Sequence, residues 1–166
     1  GGEICSGDKT LLKKVNDTLV AAKPKWKSMS YGNLSKFASE DIHAGVNWNG
    51  ASFRARMENE NVHYGHPKEG YPLWQDAVVV LKEAKNVENA KIFQNFIMLP
   101  ENAAMMSAFA RYANGIKGSE KYMPEDMLTA PEIVVSVEIA AKGKFIPACE
   151  KSVNDMYTKL WTNLLK

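Results

Sequence analysis

The run Leu73-Trp74-Gln75-Asp76-Ala77-Val78-Val79-Val80-Leu81 is nearly continuous in apolar residues and follows a turn predicted at residues 67–70. A strand of this composition is typically buried on both faces, as in the sheet of an α/β protein. The run therefore predicts a central strand and an α/β fold.

Strands and helices alternate on both sides of this run, which favours the same fold class. Upstream, helical spacing predicts an amphipathic helix over 8–22, capped by Ser6 or Asp8, and a brief helix after Asn33. Strands are predicted at 42–48 and 62–66, separated by a helix over 51–58. Downstream, helices are predicted from Asn86, from 101 to 111, at 124–128 and after Pro147, with an extended segment at 131–138.

Composition excludes several classes of protein. The chain has 166 residues, of which 45% are hydrophobic and 24% charged, as expected for a folded domain. The 21 Lys and Arg residues against 19 Asp and Glu give a net charge of only +2, and the basic residues are scattered, which argues against a nucleic-acid partner. No apolar run is long enough to predict a transmembrane helix.

The two cysteines, Cys5 and Cys149, form no CxxC and are too few to bind zinc by themselves. Their residue types leave two alternatives open, a long-range disulfide in an oxidising compartment or two unrelated buried thiols. The chain opens with Gly1-Gly2-Glu3 and shows no signal peptide, so we expect a processed product.

Motifs for covalent chemistry are absent from the sequence. There is no GxSxG, HExxH, P-loop or GxGxxG. His63 and His66 are three apart, a spacing that places them on opposite faces of the predicted strand. We therefore expect no enzyme activity, no cofactor and no metal site.

A set of aromatic and acidic residues points instead to a ligand. Trp48 ends a predicted strand, Trp74 and Asp76 are expected on one strand face, and Tyr112 begins a loop after a helix. Indole rings attract an organic cation, and a carboxylate accepts charge-assisted hydrogen bonds from it. The alternative is that both tryptophans are core residues and Asp76 is a partnered acid.

Four motifs in order resemble bacterial periplasmic spermidine/putrescine-binding proteins. They are Asn47-Trp48-Asn49-Gly50-Ala51-Ser52-Phe53-Arg54-Ala55-Arg56, then Pro67-Lys68-Glu69-Gly70 with Trp74-Gln75-Asp76, then the helix before Pro100, then Tyr112-Ala113-Asn114. The last helix, with Tyr157 and Trp161, is also similar. The resemblance runs from about residue 31 to the C-terminus.

The resemblance implies a set of ligand-binding residues. Trp48 and Trp74 would stack on a polyamine, Asp76 would pair with an ammonium group, and Tyr112 would line the cleft. Ser30 stands eighteen residues before Trp48, where the family has a ligand-contacting serine. Ala51 stands where putrescine-selective members have an aspartate, so the identity of the amine stays open.

The family fold is the type II periplasmic-binding-protein architecture, two α/β lobes around a cleft, and the resemblance places this chain in its C-terminal half. Residues 1–59 would form the first part of lobe two, 60–118 a returning segment of lobe one, and 119–166 the C-terminal part of lobe two. The hinge crossings would lie near 58–61 and 116–121, where Gly115 and Gly118 allow backbone movement. Cys5 and Cys149 would both fall in lobe two, which favours their pairing.

The function implied is solute capture for an ABC importer of polyamines or similar cationic amines, in the periplasm. The partners implied are the ligand, the transporter permease, and a missing N-terminal half or a second copy of the chain. Two alternatives stand beside it. The same fold could bind another amine or an amino-acid conjugate, or the chain could be a structural or interaction fragment that binds no solute.

Overall fold

The computed structural model describes residues 3–166 and is mostly helical. Its helices are α1 (Lys9–Ala22), α2 (Leu34–Ala38), α3 (Asn49–Glu58), α4 (Val87–Ile97), α5 (Pro100–Ala110), α6 (Glu125–Thr129), α7 (Val137–Ala140) and α8 (Lys151–Leu165). Two short strands, β1 (Tyr71–Leu73) and β2 (Gly143–Phe145), pair into a two-stranded sheet. Short 3-10 turns lie at Lys23–Lys25 and Ser119–Lys121.

The predicted helices form because their start and stop signals are local. The Asp8 side chain accepts hydrogen bonds from the N–H groups of Thr10 and Leu11, at 2.8 and 3.2 Å, and so caps α1. Pro100 begins α5, where its missing N–H costs nothing. The helices predicted from sequence are confirmed at these positions.

The predicted strands are mostly wrong. Residues 42–48 and 62–66 have no regular structure, and β1 ends at Leu73 instead of continuing to Leu81. Val79 and Leu81 are 70% and 73% exposed, so the run is not buried on either face here. A central strand needs paired strands on both sides, and among the described residues no strand pairs with 74–81. The extended segment 131–138 likewise gives way to α7 at Val137.

The chain divides into two compact units. The first comprises the residues up to Tyr31, Pro72–Trp74 and Lys144–Lys166. Its buried apolar residues are Leu12 on α1 and Val153 and Leu164 on α8. Between α1 and α8 lies a mainly apolar groove of about 300 Å³. A disulfide joins Cys5 to Cys149, with the two Cα atoms 5.1 Å apart, and so ties the segments that precede the two helices.

The second unit comprises Gly32–Tyr71 and Gln75–Gly143. Its core contains Phe53 of α3, Met127 of α6 and Ala130, with Met123 and Ile133 packed against them. These boundaries differ from the lobe segments 1–59, 60–118 and 119–166, and that lobe assignment stays a prediction. Within residues 3–166, no helix is both long and apolar enough to cross a membrane.

Candidate functional site

The second unit presents Trp48 at the start of α3. Its carbonyl accepts the N–H of Ser52 at 2.9 Å, as an N-cap carbonyl does, and its indole side chain leaves the residue 42% exposed. The Asn47 amide donates to the Ser52 hydroxyl at 3.3 Å. An aromatic side chain is thus held beside a helix N-terminus, half open to solvent.

Tyr112 packs directly on Gly50. A Cβ atom placed on Gly50 would lie 2.6 to 2.7 Å from three atoms of the Tyr112 ring, closer than any side chain tolerates. Glycine is therefore required in the Trp48-Asn49-Gly50 motif by this contact. The contact brings the Tyr112 loop to the helix that begins beside Trp48.

The electrostatic surroundings of Tyr112 include a carboxylate. Burial raises the pKa of the Tyr112 phenol, and the nearby Asp76 carboxylate raises it further, while the charge of Arg54 and a hydrogen bond with the Ala51 backbone lower it. The net pKa is raised, so the phenol is neutral at physiological pH. Asp76 itself is exposed. A neutral phenol and an open carboxylate together can hold an ammonium group.

Three arginines lie where α3 meets the end of α5. The Arg54 guanidinium donates to the carbonyl of Ala110, the last residue of α5. Arg111 follows in the left-handed region, with φ of 61°, and its guanidinium donates to Asp126 at 2.9 Å. The guanidinium carbons of Arg56 and Arg111 lie 4.7 and 5.2 Å from the centre of the Phe53 ring. The left-handed conformation of Arg111 ends α5, and the chain then continues into Tyr112.

The buried carboxylate of Glu132 supports α3 from the other side. Arg56 donates to both of its oxygens, at 2.7 and 2.9 Å, and the residue is only 2% exposed. Burial, the largest single effect, raises the pKa of Glu132, but the hydrogen bonds from Arg56, a backbone hydrogen bond and the charge of Arg56 together outweigh it, so the pKa is lowered. The Asn49 amide donates to the Glu132 carbonyl at 2.9 Å, while its own Oδ1 is buried and has no hydrogen-bond partner among the described residues.

The structure places three of the five predicted site residues in one unit. Trp48, Asp76 and Tyr112 belong to the second unit, where the Tyr112 ring packs on Gly50, two residues after Trp48, and the charge of Asp76 has a small effect on the Tyr112 phenol. Trp74 and Ser30 belong to the first unit, where both are exposed. The expectation that Trp74 and Asp76 share a strand face is wrong, because β1 ends at Leu73.

Sequence reasoning missed several residues of this site. Burial raises the pKa of the Tyr64 phenol, and the charges of Tyr71, Tyr112 and Glu132 raise it further. The Tyr64 ring centre is 5.0 Å from that of His66, which in turn is 4.6 Å from that of Tyr71. The stretch Tyr64-Gly65-His66 matches no motif that would predict from sequence that these rings pack together. Within the described residues 3–166, no group of His, Cys, Asp and Glu could hold a metal ion.

Comparison with known proteins assigns the chain to a family. Residues 5–134 match the family described as bacterial extracellular solute-binding protein. The chain belongs to this family. The mostly helical structure with few strands is consistent with a fragment of a periplasmic-binding-protein-like fold.

Curated relatives of this family member include three periplasmic binding proteins. A putrescine-binding protein of Pseudomonas aeruginosa is 28% identical over 79% of the chain. A spermidine/putrescine-binding protein of Haemophilus influenzae is 26% identical over 80%, and a putrescine-binding protein of Escherichia coli is 26% identical over 79%. The chain spans only 37% of the length of each of these relatives.

Proposed function

We propose that the chain is part of the solute-binding component of an ABC importer for polyamines or similar small cationic amines. The observation that carries the proposal is the packing of the Tyr112 ring on Gly50, in the motif that begins with the half-exposed Trp48. Rings attract the ammonium and alkyl groups of such a ligand, and the carboxylate supplies the counter-charge. The printed functions of the relatives support this ligand class.

The proposal extends to the rest of the site and to its surroundings. Trp74 would stack on the ligand and Ser30 would donate a hydrogen bond to it, once a further lobe-one segment, from the same polypeptide or another chain, completes the cleft. The same proposal assigns residues 1–59 and 119–166 to lobe two and residues 60–118 to lobe one. It also includes the transporter permease as a partner. The length of the relatives supports the need for a completing segment.

We further propose an extracytoplasmic, periplasmic location and binding without covalent chemistry. The Cys5–Cys149 disulfide supports the location, because disulfides persist in oxidising compartments. The relatives are binding proteins, which supports a non-enzymatic role.

The decisive experiment is calorimetric titration of the natural polypeptide that carries this sequence with putrescine, spermidine and amine-bearing amino-acid conjugates. We expect binding of at least one polyamine. Binding of the conjugates alone would favour the alternative ligand class. In that case the replacement of the family's aspartate by Ala51 would go with a change of ligand. Binding of none would favour a structural or interaction role.

Asp76→Asn tests the counter-charge in the same titration. A hydrogen bond to a charged group contributes about 1.5–3 kcal/mol, so we expect affinity to fall roughly ten- to hundredfold. Lys85→Ala is the control, since this exposed lysine lies just before α4. Unchanged affinity in Asp76→Asn would remove the carboxylate from the proposed site.

A further inference from the structure

Asn114 makes a complete set of hydrogen bonds two residues after Tyr112. Its Nδ2 donates to the Ser107 hydroxyl at 2.9 Å and contacts the Met123 sulfur at 3.8 Å. Its Oδ1 accepts from the backbone N–H of Ile116 and from the Ser119 hydroxyl, both at 2.9 Å. An amide side chain has two N–H donors and two acceptor sites, and all four are used here.

The partners of Asn114 lie on three consecutive parts of the second unit. Ser107 belongs to α5, Ile116 to the connecting loop and Ser119 to the following 3-10 turn. Ser107 and Ser119 are only 4% and 5% exposed. Buried hydroxyl groups that lose their partners are costly, so this amide holds the loop in one arrangement.

Ser107 holds the chain on both sides of Tyr112. Its carbonyl accepts the N–H of Arg111 at 2.7 Å, and its hydroxyl accepts from Asn114. Tyr112 therefore lies in a short stretch that is fixed at both ends to the same residue of α5. The ring has little room to adjust, because the Gly50 backbone lies directly beneath it.

We propose that Asn114 is a positioning residue for Tyr112, which holds the Tyr112 ring on Gly50 and so shapes the amine-binding wall. Its relevance to the ligand depends on the proposed function; its effect on the Tyr112 ring does not. Asn114 itself has no remaining donor or acceptor for a ligand, so it acts only through Tyr112.

The test separates the ring position from ligand binding. Tyrosines carrying ¹³C at Cζ are titrated by NMR in the parent and in Asn114→Ala, and the Tyr112 signal is identified by its loss in Tyr112→Phe. Since burial raises the pKa of Tyr112 in the parent, we expect it to fall toward the ordinary value of about 10 when the loop is released. At pH 7 the chemical shifts of Tyr31 and Tyr157, in the first unit, should be the same in the parent and in the variant.

Two matched variants complete the design. Asn114→Asp keeps the Oδ1 acceptor and replaces Nδ2 by a second oxygen, which can accept a hydrogen bond from the Ser107 hydroxyl, so the pKa of Tyr112 should not fall as it does in Asn114→Ala. Asn102→Ala removes a hydrogen bond of 2.7 Å to the Phe96 carbonyl, elsewhere in the second unit, and should leave the Tyr112 signal unchanged. If Asn114→Ala does not fold, Ser107→Ala, which deletes one of the same bonds, replaces it with the same expectation.

The calorimetric titration with putrescine and spermidine is then repeated on the variants. We expect Asn114→Ala to weaken binding at least about tenfold. In a chain that already carries Tyr112→Ala, the same substitution should cause little further loss of affinity, because the two residues act as one unit. An unchanged Tyr112 titration in Asn114→Ala, or in Ser107→Ala in its place, would overturn the inference whatever happens to binding. If the parent binds no amine, the proposed function fails, while the NMR titration still decides the positioning role.

Discussion

At the scale of single residues, Gly50 leaves no room for a side chain. A methyl group there would lie 2.6 Å from the Tyr112 ring, and a ring edge held on the backbone cannot turn aside as the end of a flexible side chain can. We expect Gly50→Ala to destabilise the chain by about 1–3 kcal/mol, the usual cost of overpacking. Chemical denaturation measures this cost.

Two further variants check that the contact with Tyr112 is the cause. Tyr112→Ala should recover part of the stability lost in Gly50→Ala, since residues in contact are not additive. Gly115→Ala is the control, because nothing lies within 4 Å of its added methyl group. If Gly50→Ala lost the same stability in the parent and in the Tyr112→Ala background, this explanation would be contradicted.

The ion pair of Arg56 and Glu132 makes stability depend on pH. The pKa of Glu132 is lower in the folded chain than its ordinary value of 4.5, so the carboxylate stabilises the fold at neutral pH. This contribution is lost as the pH falls below that ordinary value and through the lower folded value. We expect Glu132→Gln to cost about 2 kcal/mol at pH 7 and to remove this part of the acid sensitivity.

Glu88→Gln provides the comparison for this prediction. Glu88 pairs with Lys91 at 2.8 Å on the surface of α4, where ion pairs contribute little. The free energy of unfolding of Glu88→Gln should stay within about 0.5 kcal/mol of that of the parent. A parent and a Glu132→Gln variant that lose stability in parallel on acidification would refute the assignment.

At the scale of elements, the disulfide joins the starts of α1 and α8. Cys5 and Cys149 are separated by 144 residues in sequence, so the bond closes a very long loop. On the chain-entropy argument it stabilises the fold by up to about 4–5 kcal/mol. Reduction, or Cys5→Ala with Cys149→Ala, should therefore lower the denaturation midpoint.

Thiol labelling tests the disulfide directly. The unreduced, denatured protein should take up no alkylating reagent, and the reduced protein should take up two equivalents by mass spectrometry, one for each cysteine. Labelling of both cysteines before reduction would show that the bond does not form.

At the scale of the whole molecule, the second unit exposes large apolar side chains. They lie on α4, on α5 and along the segment that follows β1: Val78, Val79, Leu81, Ile92, Phe93, Phe96, Met105 and Phe109. Phe109 is 87% exposed. Exposed apolar side chains in this number are typical of an interface, and an unpaired extended segment can pair with another strand.

We therefore expect the 166-residue chain, taken alone, to associate with itself in solution. Analytical ultracentrifugation over a range of concentrations measures this. Phe109→Glu should shift the distribution toward monomer, whereas Leu128→Glu, a substitution on α6 outside this set, should not. A chain that stays monomeric at high concentration would count against the need for a completing segment.

The helices and the order of the ligand motifs could be predicted from the sequence. Helical hydrogen bonds join residues four apart, so the Asp8 cap and Pro100 fix helix starts without reference to the rest of the chain. The family resemblance rested on four motifs in order, those of Trp48, of Trp74 and Asp76, of the helix before Pro100, and of Tyr112, and this order can be seen in the sequence alone.

The strands and the contacts within the site depended on tertiary structure. The apolar run 73–81 becomes a strand only where neighbouring strands satisfy its backbone, and composition alone cannot reveal whether those neighbours are present. The sequence left the pairing of Cys5 with Cys149 open and gave no sign that Gly50 lies under Tyr112 or that Arg56 pairs with Glu132. These contacts join residues far apart in sequence, so they are decided only when the chain packs.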